Sequence, residues 1–212
     1  MLTVRIGIVT KSSARPFKGN VNYVVDFTKR RIRDEDRFYL HYTGQTWKLV
    51  NFAVCKPIKK QLKRIALVLE SPHIHEYDLY YNPIGPAQGK TGKNIRNKLT
   101  SRQNLITHLN HNNVYLIRIM NPIQFQASCY HSLNNHDRNE TKKVFRFLFG
   151  KKGFNLRQYF IFRLRNYNPD IIYNCCTSEL KTGVVKTAIN SAIAIASNQN
   201  YYEDIHPSMW TK

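Results

Sequence analysis

Arg64-Ile65-Ala66-Leu67-Val68-Leu69-Glu70-Ser71-Pro72 decides the fold. From Ile65 to Leu69 the run is continuously apolar, without the polar alternation of a half-exposed strand, so both of its faces are buried, as in a parallel strand covered by helices. It then stops abruptly on a carboxylate, a hydroxyl and a proline. Two further apolar runs, Val114 to Met120 and Asp170 to Cys176, are each followed by a polar loop and then a helical pattern. Helices are predicted over Lys93 to Leu109, broken at a Thr-Ser pair, over Asn139 to Phe149, and after Thr177 or Ser178, which would cap a helix with Glu179 in its first turn. The chain from about residue 60 onward therefore reads as α/β.

The residues before it read differently. Thr3 to Thr10, Asn20 to Thr28 and a hairpin of Arg37 to Tyr42 with Thr46 to Ala53, turning at Thr43-Gly44-Gln45, predict short antiparallel strands. We assign residues 1–58 to a β-rich N-terminal extension and 59–212 to the α/β domain. A chain of 212 residues, 42% of them apolar, buries one good core and hardly two.

Lys and Arg number 33 against 13 Asp and Glu, a formal charge of +20, far beyond what solubility requires. The cations gather in Lys29 to Arg33, Lys56 to Arg64, Lys90 to Arg102 and Lys142 to Arg165, which points to a polyanion, DNA in the first place. No run of eighteen apolar residues offers a membrane span and Met1 to Lys11 lacks the layout of a signal peptide, so we expect a cytoplasmic monomer with no membrane partner. Cys55, Cys129, Cys175 and Cys176 form no Cys-x-x-Cys pair, so we expect reduced, buried thiols and no cofactor.

In open α/β sheets the loops at the carboxyl ends of the strands make the site, which is where Glu70, Asn121 and Thr177 fall. Taken in order, Leu67-Val68-Leu69-Glu70-Ser71-Pro72, Pro86-Ala87-Gln88-Gly89-Lys90-Thr91-Gly92, Val114-Tyr115-Leu116-Ile117, Asn168-Pro169-Asp170-Ile171-Ile172 and His206-Pro207-Ser208 resemble the uracil-DNA glycosylase superfamily. The likeness is greatest to its iron-sulfur-containing branch, whose first loop reads Gly-Glu-x-Pro, whose second ends in Gly-Arg-Ala-Gly and whose last begins His-Pro-Ser. It spans about two thirds of the chain. The resemblance implies a sandwich with a central, mostly parallel four-stranded sheet between helices, and a metal-free enzyme that flips out a base and hydrolyses its N-glycosidic bond. The cluster cysteines of that branch are absent, so no cluster is carried over.

The chemistry suits those residues. Cleaving the bond develops positive charge on the sugar and negative charge on the base, so the site needs a carboxylate at one and a donor at the other. Glu70 would serve the sugar and the attacking water, and His206 a base oxygen. Ser71, His73, Ala87, Arg118, Asn121 and Phe125 would line the base pocket. Pro72, Gly89, Lys90, Thr91, Lys93, Thr177, Ser178, Pro207 and Ser208 would grip the DNA, and Met209 or Trp210 would wedge the gap left in the duplex.

Two positions depart from the pattern. The aromatic that stacks on uracil is replaced by Ala87, which implies a wider pocket, and the amide that reads the uracil edge aligns with Arg118, unless Asn121 supplies it. Both departures suggest a bulky modified pyrimidine such as glucosylated hydroxymethylcytosine in phage DNA, hence antiviral defence, with uracil excision in base-excision repair as the alternative. A nuclease reading rests on Pro169-Asp170 with Glu179-Leu180-Lys181 and on His73, His75 and Asp78 as metal ligands, and a non-catalytic DNA binder needs only the cations. Gly85 to Thr91 is not a phosphate loop, because three residues separate its glycines where four are needed.

Overall fold

The computed structural model describes residues 31–54, 61–72, 74–78, 82–125, 145–146, 148–150, 155–176, 183–197 and 200–210. The predicted strands Thr3 to Thr10 and Asn20 to Thr28 lie outside the described residues, as does most of the helix predicted over Asn139 to Phe149, of which Phe145, Arg146, Leu148 and Phe149 are helical.

Its strands are β1 (Glu35–Tyr42), β2 (Trp47–Asn51), β3 (Leu62–Val68), β4 (Val114–Met120), β5 (Ile171–Asn174) and β6 (Asn200–Glu203). They form one six-stranded mixed sheet in the order β2-β1-β4-β3-β5-β6. The fold is thus α/β as the sequence reads, but the sheet holds six strands rather than four, because the hairpin β1–β2 pairs antiparallel with β4 and extends the same sheet. The other three pairings, β3 with β4, β3 with β5 and β5 with β6, are parallel.

Alternation along the strands divides the core in two. Ile65, Leu67 and Leu69 face a cluster with Ile95, Leu99, Leu105 and Tyr173, whereas Ala66 and Val68 face one with Phe160, Leu164, Ile189 and Ile193. Helices α1 (Lys90–Lys98) and α2 (Gln103–Ile106) cover the first face, and α3 (Leu156–Tyr167) and α4 (Val184–Ala196) the second. Each Leu or Ile so buried contributes about 1.5–3 kcal/mol. Helix formation begins at Lys90, earlier than predicted, and gives way to a 3-10 turn at the expected Thr100-Ser101 break. At the first turn of α1 the chain doubles back so tightly that a Cβ on Gly92 would stand 1.6 Å from the Ala87 carbonyl oxygen, so only glycine fits.

Parallel registers align the strand ends. Val68 lies beside Met120 and Asn174, and Asn174 beside Glu203, so the segments beginning at Leu69, Asn121, Cys175 and Asp204 all leave one edge of the sheet. Backbone bonds carry the ladder past the strands: Leu69 N–H donates to Met120, Cys175 to Val68 and Asp204 to Asn174.

Candidate active site

Glu70 stands two residues beyond β3, where the apolar run that builds the strand ends, and is 5% exposed. Ile123 N–H donates to its carbonyl at 3.4 Å, which ties the loop after β3 to the loop after β4. Burial foremost, and the neighbouring Glu70 carboxylate next, push the Cys176 thiol up to about 12, which places that charge beside the end of β5. Burial, with Asp204 next, likewise raises the Cys175 thiol. Both cysteines are free and buried, whereas Cys55 and Cys129 lie outside the described residues.

His206 leaves β6 on the same edge. Its Nδ1 accepts the Ser208 backbone N–H at 3.2 Å and stands 2.8 Å from the Ser208 hydroxyl, so it caps the 3-10 turn Pro207–Met209. A ring nitrogen that accepts a backbone N–H holds no proton, so the neutral ring carries its proton on Nε2 and offers that edge as a donor. One strand, β5, separates β3 from β6, which sets the two loop origins about 10 Å apart.

The segment bearing His206 is gripped by α1. Asn94 Nδ2, buried, donates to the Pro207 carbonyl at 2.8 Å, and Lys98 Nζ to the Trp210 carbonyl at 2.7 Å. Trp210 is itself a core residue, 2% exposed, donating Nε1–H to Ile205 and facing the Arg102 guanidinium 5.3 Å from its ring. Its indole anchors the loop and does not reach a duplex, which corrects the choice between the two wedges. Met209, 57% exposed, is the one that projects. Nothing in the sequence announced Asn94, Lys98 or the bidentate Arg102–Asp204 pair that fastens the other end of this segment, because their partners lie more than 100 residues away.

On the other side of Glu70, Asn121 follows β4 and is 2% exposed, and its Oδ1 has no hydrogen-bond partner. Ser71 Oγ, also buried, has none either. An amide and a hydroxyl left unsatisfied beside a buried carboxylate are groups awaiting a polar ligand or water. The loop that carries Asn121 is clamped from α3: Arg163 donates to the Asn121 and Pro122 carbonyls at 2.8 and 3.2 Å and pairs with Asp34, which also accepts from Gln124 at 3.1 Å. The sequence reading missed this clamp. Phe125, assigned to the pocket, packs in the α3–α4 cluster.

Two pocket assignments are corrected. Ala87, at a left-handed φ of 56°, is buried in the α1-side cluster, so its small side chain reflects close packing under the helix and not an open pocket. Arg118 belongs to β4 itself, and its guanidinium is held by both Asp36 oxygens at 2.8 Å and lies 4.1 Å from the Tyr167 ring. The Asp36 hydrogen bond, the largest cause, raises the Arg118 pKa against burial. His73, Thr177 and Ser178 lie outside the described residues.

The residues expected to contact DNA divide as well. Lys90 and Lys93 are exposed on α1, with Thr91 partly so, and Gly89 is required because a Cβ there would stand 2.8 Å from His75 Nδ1. Pro72 and Pro207 are buried braces and Ser208 is committed to His206. Asp170 sits at the opposite, amino edge of the sheet, accepting from Lys63 Nζ and Arg64 N–H at 2.9 and 2.8 Å. Among the described residues no group of three His, Cys, Asp or Glu side chains is placed to hold a metal, and no helix is long and apolar enough to cross a membrane. Compared with known proteins, the chain matches no family model, no curated protein and no solved structure.

Proposed function

We propose that the protein is a DNA glycosylase, which draws a base out of DNA onto the carboxyl edge of its sheet and hydrolyses the N-glycosidic bond to leave an abasic site. The observation that carries the reading is that the loops bearing buried Glu70 and His206, the latter with its proton directed to Nε2, leave the same edge of the sheet. As the bond from C1′ to the base breaks, its electron pair leaves with the base, where the His206 Nε2–H donates to a base oxygen. Glu70 stabilises the positive sugar and orients a water, whose oxygen bonds to C1′ and whose proton passes to the carboxylate. The α/β frame, a six-stranded mixed sheet with helices on both faces, is compatible with this reading in its class alone.

The base is proposed to be a pyrimidine, whose polar edge the unsatisfied Asn121 amide would read. Glucosylated hydroxymethylcytosine, and with it a role in antiviral defence, is one candidate. Because Ala87 and Arg118 are engaged within the fold, uracil is the other, and repair the corresponding role. Incubating the protein in EDTA with DNA carrying each base, then scoring alkali-labile breaks, tests the reaction and ranks the two. Cleavage that requires Mg²⁺ would instead support the nuclease reading.

A further inference from the structure

We propose that the outer face of α3 is a separate surface for single-stranded DNA, with Phe162 and Tyr159 as base-stacking rings and Arg31 as a phosphate contact. Phe162, 58% exposed, is the most exposed large apolar side chain among the described residues, and Tyr159 is 37% exposed. They stand three positions apart on α3, so the rings are neighbours along one face. Arg31 donates to the Tyr159 hydroxyl at 3.0 Å and lies 5.8 Å from its ring.

The charge carried by the two helices of this layer is of one sign. Helices α3 and α4 carry Arg157, Arg163, Arg165 and Lys186 and no Asp or Glu. Arg163 is neutralised by Asp34 and Lys186 by Glu203, but Arg31, Arg157 and Arg165 bond to a phenol, a serine hydroxyl and the Ile195 carbonyl. Among the described residues these three cations thus have no carboxylate partner. Exposed rings flanked by Arg31, at the Tyr159 ring, and by Arg165, one turn from Phe162, suit a polyanion whose bases are open to stacking, and only a single strand presents its base faces. Two rings fall far short of the roughly 800 Å² per partner that stable self-association requires. The choice of DNA over RNA rests on the glycosylase reading, whereas binding at this face does not.

The test is fluorescence anisotropy with a labelled oligothymidine of about ten nucleotides, the matching duplex and an oligouridine. Phe162→Ala is expected to weaken oligothymidine binding about tenfold, with duplex binding changed less than about twofold and thermal stability kept. Arg31→Gln should shallow the salt dependence of single-strand binding by about 0.7 in log-log slope. Unchanged oligothymidine affinity in Phe162→Ala, an equal loss for single strand and duplex, or tighter binding of oligouridine would each overturn the proposal. So would a wild-type dimer in sedimentation that Phe162→Ala splits. Since no base release is measured, failure here and failure of the glycosylase reading remain distinguishable.

Discussion

At the scale of single residues, the site depends on which atom of His206 carries the proton. Ser208 N–H occupies Nδ1, so the loop itself sets the donor edge of the ring. His206→Ala removes the donor to the leaving base and should lower single-turnover base release at least about a hundredfold while leaving DNA affinity nearly intact. A loss confined to affinity would assign His206 to binding alone. Ala87 yields a different prediction from the one a pocket position would give. Since its side chain is packed against the α1-side cluster, Ala87→Phe should overpack that core by about 1–3 kcal/mol and lower the melting temperature by several degrees, which a thermal scan would read. The position of Glu70 at the end of β3 was legible because it closes an apolar run, whereas the strand before His206, Asn200–Glu203, is polar and gave no such signal. Ala87, Arg118 and Trp210 were misread because no local pattern reveals which way a side chain turns. For Arg118 the deciding partner, Asp36, lies 82 positions away.

At the scale of elements, β3, β4 and β5 were legible because burial on both faces leaves an uninterrupted apolar run, whereas β6, a polar and half-exposed Asn-Tyr-Tyr-Glu, was missed, and the joining of the hairpin to β4 was not legible, since period-two alternation gives strands without saying which strand they pair with. The clamp on the loop after β4 is a further long-range contact. Arg163 and Asp34 are both about nine-tenths buried, so Arg163→Met leaves a carboxylate without its cation and should cost about 3–5 kcal/mol, measurable by urea unfolding. Combining it with Asp34→Leu should recover much of that loss. At the opposite edge, burial would raise the Asp170 pKa, but the Arg64 N–H and the Lys63 ammonium outweigh it and hold the carboxyl below its ordinary range. A depressed carboxylate stabilises the fold above its unfolded value, about 4, and the contribution disappears as pH falls through the folded value. Asp170→Asn should therefore be less stable than the wild type at neutral pH, with the gap narrowing in acid below about pH 4 when melting is followed across a pH series.

For the molecule as a whole, the excess of cations reads as one signal in the sequence but serves two purposes in the fold. Lys63, Arg102, Arg118 and Arg163 are paired internally, with carboxylates on distant segments, and so hold the architecture together. Lys90 and Lys93 on α1 and Arg165 on α3 are exposed and are the cations that the proposed DNA contact would use. The sheet brings the ends of β3, β4 and β6 to one edge, from which the loops bearing Glu70, Asn121 and His206 depart. Base release in EDTA tests that convergence most directly. Wild-type protein incubated with DNA bearing uracil or glucosylated hydroxymethylcytosine should free the base and leave alkali-labile sites, and Glu70→Gln should do so at least about a hundredfold more slowly. Release of neither base, or strand cleavage that EDTA abolishes and Mg²⁺ restores, would contradict the account.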